Sequence, residues 1–223
     1  MTPRGIVTVL AVAFGLLTGG PALPTAQAGE IPGPQIAQAR PTVGPPSPEA
    51  GDFIMALADK AIAGLTDFNV PLPERTTRFR VLLNEGFDVQ HIGRFVLGRF
   101  WRSASEEERA EYLRLFEDFI VHSYATRFRE YAGENLKVVG TRAAADGEAY
   151  VLSDLLRPSG PPVRVEWRLR RDNSGFKIVD VLVESVSMSI TQRDDFSATI
   201  QRAGGRVEGL LTVLRDKVRT ASN

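Results

Sequence analysis

At Gly133 the spacing of apolar residues changes from one period to another, and nothing else in this 223-residue chain limits its fold so strongly. Before Gly133 apolar side chains recur every three or four positions, the repeat of a helix buried along one side. After it they recur at every second position, the repeat of a strand with one face on a core and the other in water. Near Thr191 the helical spacing returns. Helices, then consecutive strands, then helices again predict an α+β fold.

The strand region is punctuated by turn residues. Strands are expected over 136–142 and 148–157, joined at Asp146-Gly147, a hairpin signal. Pro158-Ser159-Gly160-Pro161-Pro162 makes the next turn, and Asp172 to Gly175 the one after. In the third strand Val163, Val165, Trp167 and Leu169 alternate with Arg164, Glu166, Arg168 and Arg170. A fourth strand covers 176–184. Short turns between successive strands imply an antiparallel four-stranded meander, wet on one face and covered by helices on the other.

The helices carry their own boundary signals. Ser47-Pro48-Glu49 reads as N-cap, N1 proline and first-turn acid, followed by Phe53, Ile54, Leu57, Ala58, Ala61 and Leu65 at helical spacing. A second helix over 74–84 turns Phe79, Leu82 and Leu83 inward. Asp88 caps a third, in which Val89, Ile92, Phe95, Val96, Leu97, Phe100 and Trp101 crowd most of the circumference. Gly93 and Gly98 each cost about 1 kcal/mol against Ala in a helix interior, which points to close packing or to a break near Gly98. Ser105 and Glu108 form a capping box opening the longest helix, expected to reach about 131. Tyr112, Phe116, Phe119, Ile120, Ser123, Tyr124, Phe128 and Tyr131 share one of its faces. Thr191 is expected to cap a helix over 192–203, Gly204-Gly205 to break it, and Val207, Leu210, Leu211, Leu214 and Val218 to form the last.

The N-terminus reads as an export signal. Arg4, a nearly continuous apolar run over 6–17 and the small-x-small site Ala26-Gln27-Ala28 mark residues 1–28 as a cleavable signal peptide. The apolar run is too short for a membrane span, which needs about 20 residues. Residues 29–48 hold six prolines and little apolar content, so they are expected to form a flexible tether that cannot repay its own ordering entropy. The remainder, 49–220, is long enough for one domain with a proper core. Without the signal peptide, 26 basic side chains face 27 acidic ones, a net charge of −1. That balance excludes nucleic acid as the natural partner and gives no general attraction to anionic membranes. The chain has no cysteine, hence no thiol-based lipid anchor.

Candidate chemistry is sparse. His91 and His122 lie on different predicted helices, and no metal cluster of ordinary spacing is present. Neither a nucleophile elbow nor a phosphate-cradling glycine loop occurs. Asp154 and Asp180 stand within strands and are the acids best placed for proton transfer, or else simple strand carboxylates. Arg94, Arg99 and Arg102 form a basic group beside the third helix.

The order and spacing of several segments resemble one known family. Phe79-Arg80-Val81-Leu82-Leu83-Asn84-Glu85-Gly86-Phe87-Asp88, then Ile92-Gly93-Arg94-Phe95-Val96-Leu97-Gly98-Arg99, is similar to the MlaC family, the toluene-tolerance auxiliary proteins that carry phospholipid in the Gram-negative periplasm. Related hopanoid-biosynthesis-associated proteins share much of this pattern. Lys177-Ile178-Val179-Asp180-Val181, Ser187-Met188, Arg193, Phe196, Gly204 and Leu210-Leu211 extend the resemblance to about 53–218. Phe176 stands where the family leads one to expect Trp, and Ser185 where it has Gly.

The resemblance implies a curled sheet under helices, a cone-like arrangement enclosing an apolar pocket, without catalysis, metal or cofactor. The implied protein is a monomeric periplasmic carrier that exchanges phospholipid with an outer-membrane lipoprotein complex and an inner-membrane ABC transporter complex, contributing to outer-membrane lipid asymmetry. The pocket wall is then expected from Phe95, Val96, Phe116, Phe119, Ile120, Tyr124, Phe128, Tyr150, Leu152, Val165, Trp167 and Leu169, with Arg94, Arg99 and Arg102 at the head group. Two acyl chains hold on the order of 30 methylenes at about 0.8 kcal/mol each, so leaving both in water costs roughly 24 kcal/mol. Such a guest calls for a dry pocket on the order of 1,000 Å³. A hopanoid-type cargo, a secreted isomerase- or dehydratase-like enzyme on a similar cone, and an exported scaffold with a solid core are the alternatives. A convergent acid–base pair inside the pocket would mark the enzyme.

Overall fold

A computed structural model describes residues 47–67, 69–125 and 131–221; the segment 1–28 expected to be a signal peptide, nearly all of the proline-rich stretch and Phe128 lie outside them. Helix α1 (Pro48–Leu65) begins with proline in its first turn. Ser47 occupies its N-cap position without a side-chain capping bond, and its N–H donates instead to Thr141 Oγ1 at 3.0 Å. Helix α2 (Leu72–Gly86) follows Pro71. In α3 (Val89–Leu97) the Asp88 carboxylate accepts the His91 N–H at 2.9 Å, the expected cap. Gly98, at φ 58°, ends it, and α4 (Phe100–Ser103) is a single turn.

The capping box is formed: Ser105 N–H donates to Glu108 Oε2 at 2.8 Å and Glu108 N–H to Ser105 Oγ at 3.2 Å. It opens α5 (Glu106–Ala125). The expected extension to 131 passes through residues outside those described, and Tyr131 itself is not helical.

Strands β1 (Asn135–Ala143), β2 (Glu148–Leu156), β3 (Val163–Asp172), β4 (Gly175–Val183) and β5 (Val186–Ser187) form one antiparallel sheet in chain order. The meander is as expected, with a short fifth strand added. Its turn uses Glu184 and Ser185 at φ 48° and 68°, left-handed backbone that glycine would take without steric cost. Register shifts leave Val139 of β1 and Val179 of β4 unpaired. Such bulges bend and twist strands, and the sheet curls.

Helix α6 (Met188–Arg202) starts earlier than Thr191 predicts. Ser187 Oγ accepts the Ile190 N–H at 3.1 Å and is the actual cap, while Thr191 Oγ1 donates back to the Ser187 carbonyl inside the first turn. Gly204 and Gly205, both at positive φ, separate it from α7 (Val207–Ala221).

Two apolar clusters result. One joins α3, α5, α6 and α7 around Val96, Leu97, Tyr112, Phe116, Ile200, Leu211 and Leu214. The other joins α1 to the inner sheet face through Ile54, Val151, Val165, Leu169 and Ile178. Phe87 packs against both, and Asp88 N–H donates to the Ile178 carbonyl at 3.0 Å, fastening the α2–α3 corner to β4. The expectation that α3 is buried nearly all round is corrected. Val89, Ile92, Gly93, Val96 and Leu97 are buried, but Gln90, His91, Arg94 and Phe95 face out, because α3 meets α5, α6 and β4 along one side only.

An apolar cavity between the sheet and the first two helices as the candidate functional site

The cavity is built by side chains that point inward but do not fill the space between them. From α1 come Ile54, Leu57, Ala58, Ala61, Ile62 and Leu65, and from α2 Phe79, Leu82 and Leu83. Val89 and Ile92 of α3 and Ile120 and Tyr124 of α5 close another side. The sheet contributes Leu136, Leu155, Trp167 and Val181. The space they leave is about 270 Å³. This is well below the volume expected for two acyl chains and just under the lower end of ordinary ligand pockets, about 300 Å³.

The periodicities explain the lining. In β2 the inward set is Ala149, Val151, Ser153 and Leu155; in β3 it includes Val163, Val165 and Leu169. Trp167 shares that face, and its indole N–H donates to Ser153 Oγ at 2.9 Å. Ser153 Oγ in turn donates to the Val165 carbonyl at 3.0 Å. The polar edge of the indole is thus satisfied within the sheet, and its apolar body is left for the cavity. Phe79 and Tyr124, both on the cavity wall, form a tilted ring pair with centroids 6.2 Å apart.

Polar groups are few, and those of Thr66, Tyr131, Glu134 and Asp180 are engaged within the protein. Thr66 Oγ1 donates to the Ile62 carbonyl at 2.7 Å. Glu134 accepts the Ala132 N–H at 2.8 Å, and Tyr131 donates to the Glu134 carbonyl. Asp180 accepts three bonds, from Val181 N–H, Ser187 Oγ and Ser189 N–H, at 2.9, 2.6 and 3.1 Å. Its carboxylate therefore fixes the β4–β5–α6 corner. Asp154 lies on the outer sheet face, with Lys137 and Arg164 as cross-strand neighbours. The two acids singled out for proton transfer are thus not brought together. Among the described residues no group of three His, Cys, Asp or Glu could hold a metal ion.

His91 sits outside the cavity, its Nδ1 3.3 Å from Arg170 Nη1, while Arg170 Nη2 donates to Asp88 at 2.6 Å. Desolvation first, and then the Arg170 charge, hold the imidazole below its ordinary value. Burial pushes the Tyr112 phenol well up; its O–H donates to the Gly93 carbonyl at 2.9 Å inside the helical core.

Of the residues expected to form the wall, Ile120, Tyr124 and Trp167 line the cavity. Val96 and Phe116 are instead sealed in the helical core, and Phe119 packs on Phe196 there, with centroids 6.1 Å apart. Val165 and Leu169 lie inside the sheet cluster with no exposed surface. Tyr150 and Leu152 belong to the outer face of β2, where Arg142 lies 3.7 Å over the Tyr150 ring; the alternation of β2 puts their neighbours inward instead. Phe95 is 38% exposed beneath Arg193. Arg94, Arg99 and Arg102 are exposed beside α4, the first two over the Trp101 and Phe100 rings, and none of the three lines the cavity. Sequence reasoning missed the α1–α2 wall as a wall, although the inward spacing of Leu57, Ala58, Ala61 and Leu82 is plain in the sequence.

Comparison with known proteins places this cavity in context. The sequence profile of the MlaC protein family matches residues 56–216. The intermembrane phospholipid transport system binding protein MlaC of Haemophilus influenzae is 22% identical over 105 residues, 45% of this chain and 49% of that protein. The chain thus matches about half the length of this curated relative. A phospholipid-binding protein from Ralstonia solanacearum, solved in complex with a phospholipid, superposes with a TM-score of 0.68 at 21% identity, covering 77% of this chain and 98% of the other. With the profile match spanning most of its length, the chain belongs to the MlaC family.

Proposed function

We propose that this protein is a periplasmic carrier that binds phospholipid by its acyl chains and moves it between an outer-membrane lipoprotein complex and an inner-membrane ABC transporter complex, so helping to maintain outer-membrane asymmetry. The carrying observation is the cavity itself: its lining is almost wholly apolar, drawn from helices and sheet, and the Thr66, Glu134 and Asp180 side chains on it are bonded within the protein. An apolar space whose described lining brings no acid–base pair together suits a hydrocarbon guest better than a reaction. The relatives named for phospholipid transport and phospholipid binding support the same guest.

Volume decides how the guest fits. An apolar cavity of about 150 Å³ takes one benzene, so 270 Å³ takes roughly a dozen carbons on that scale, less than one full acyl chain. Two chains therefore require the cavity to widen. The sheet is held by backbone ladders, whereas α1 and α2 meet it through side chains, so these helices are the wall that yields. The N-terminal segments 1–28 and 29–48, as export signal and tether, complete the reading.

The test is native mass spectrometry, with lipid extraction, of the protein recovered from a Gram-negative envelope. The expected result is a co-purifying diacyl phospholipid at about one per chain. A protein recovered without lipid, and taking none up from phospholipid vesicles, contradicts the proposal.

A further inference from the structure

In the inward row of β2 a polar residue, Ser153, stands between Val151 and Leu155 with no exposed surface. Its hydroxyl accepts the Trp167 indole N–H at 2.9 Å and donates to the Val165 carbonyl at 3.0 Å. The strand register fixes what this means for the ring. Trp167 stands opposite Val151, whereas Ser153 stands opposite Val165, the next inward pair along the sheet. The indole therefore leans from its own pair across the neighbouring one. Turning its N–H into an apolar cavity would leave a buried donor unpaired, which is unfavourable.

The inner sheet face differs on the two sides of this ring. Toward Leu155 and Leu136 it opens on the cavity. On the far side Ala149, Val151, Leu169 and Ile178 are sealed, none more than 2% exposed and none on the cavity wall. Ser153 and Val165 are equally sealed, while Trp167 is partly exposed and lines the cavity. The indole stands where open space gives way to closed packing. Because its polar edge is bonded to the sheet, it stays in place when α1 and α2 yield.

We propose that Trp167, latched by Ser153, is the floor of the cavity and sets how long an acyl chain the protein accepts. This rests on the carrier reading above and adds a specificity to it. Trp167 touches the chain; Ser153 is a positioning residue that acts through the indole. A chain gains contact with each methylene until its end meets the ring, and further methylenes find no room beyond it. Release of the ring uncovers Ser153 and Val165 and deepens the space.

The test measures uptake of monoacyl phosphatidylglycerols, with saturated chains from octanoyl to stearoyl, by the delipidated full chain, using calorimetry and native mass spectrometry. Wild-type affinity should rise about fourfold per methylene, the equivalent of about 0.8 kcal/mol for each group buried, and then level off within the series. Ser153→Ala and Trp167→Phe should move that break to longer chains and raise stearoyl affinity at least about tenfold, the value of nearly two more buried methylenes. Ser153→Thr, which keeps the hydroxyl, should keep the wild-type break. The double variant Ser153→Ala with Trp167→Phe leaves neither partner unpaired and carries the comparison if a single variant does not fold. Trp101 and Trp167 are the two tryptophans, so a Trp101→Phe background isolates one indole N–H signal by NMR. That signal should be protected from exchange with Ser153 or Thr at this position and lose protection in Ser153→Ala. An unchanged break in every folded variant overturns the proposal, as does wild-type affinity that climbs through stearoyl without levelling. A break moved by Trp167→Phe but not by Ser153→Ala overturns the latch. Failure of the wild-type chain to take up any monoacyl or diacyl lipid contradicts the carrier reading instead, and is distinguishable from these outcomes.

Discussion

The helical core and the cavity wall are made from similar residues, yet one closes and the other does not. In the core Tyr112, Phe116, Phe119 and Phe196 interlock ring against ring, with centroids 5.7 to 6.3 Å apart. Gly93 lets α3 close onto them, since a Cβ there would lie 3.0 Å from Leu113 and Phe116. Around the cavity α1 presents Ala58 and Ala61 between longer aliphatic residues, and such small side chains leave space that larger ones would fill. Apolar periodicity alone states which way a side chain points. Side-chain reach decides whether it meets a partner.

The largest expected effect separates the two regions by truncation. Phe116→Ala opens a hole in the closed core and should cost about 3–5 kcal/mol, while Leu82→Ala only enlarges an existing space and should cost about 2 kcal/mol, the low end for such changes. Urea denaturation of both variants checks this. Equal losses would mean that the cavity wall is packed as tightly as the core.

The glycines give a finer comparison. Gly93→Ala drives a methyl group into ring and leucine atoms that cannot withdraw, with a cost of about 1–3 kcal/mol. Gly86→Ala meets the Cδ atoms of Leu57 at 2.5 and 3.0 Å, but Leu57 borders the cavity and can turn into it. Its stability should change by less than about 1 kcal/mol, because the helix propensity of Ala offsets part of the clash, while bound lipid falls. Thermal melting with lipid per chain measures both; a Gly86→Ala protein as destabilised as Gly93→Ala would place Leu57 in a rigid setting.

The smallest effect concerns pH at the corner that joins the regions. His91 is held below its ordinary value of 6.5, by desolvation and then by Arg170. The unfolded chain then binds the proton more readily than the folded one. This contribution is present above 6.5 and is lost as pH falls through the folded value. His91→Gln should flatten the acid side of the stability curve slightly, since the ring is exposed. Urea midpoints at about pH 7.5 and about pH 5.5, on either side of the free imidazole value, check it, and a steeper acid loss in the variant contradicts it.

Much of the fold is legible in the residues. The change of period at Gly133 locates the sheet, Asp146-Gly147 adopts the two positive φ angles its hairpin needs, and Asp88 and the Ser105–Glu108 pair cap as their spacing requires. Trp167, Ile120 and Tyr124 reach the cavity because alternation and helical spacing face them inward. Phe116 and Val96 face inward equally well but meet α6 and α7, whose docking is a long-range fact absent from any local pattern. Tyr150 and Leu152 lie outside the cavity for a different reason: strand parity, not apolar character, decides which face a strand residue takes, and β2 turns Ala149, Val151, Ser153 and Leu155 inward. Ser187 displaces Thr191 as a cap because β5, two residues long, delivers the chain directly into α6.

The most direct test of the account is to fill the cavity without touching the helical core. Ala58 lies on the cavity face of α1 and is partly buried. Ala58→Trp should place an indole in the 270 Å³ space, leaving a cooperatively folded protein whose bound phospholipid drops at least about tenfold, a loss of roughly 1.4 kcal/mol in binding. Native mass spectrometry of wild-type and variant proteins recovered from the same envelope reads the result. A folded Ala58→Trp protein carrying a full phospholipid load would contradict the assignment of this cavity as the lipid site.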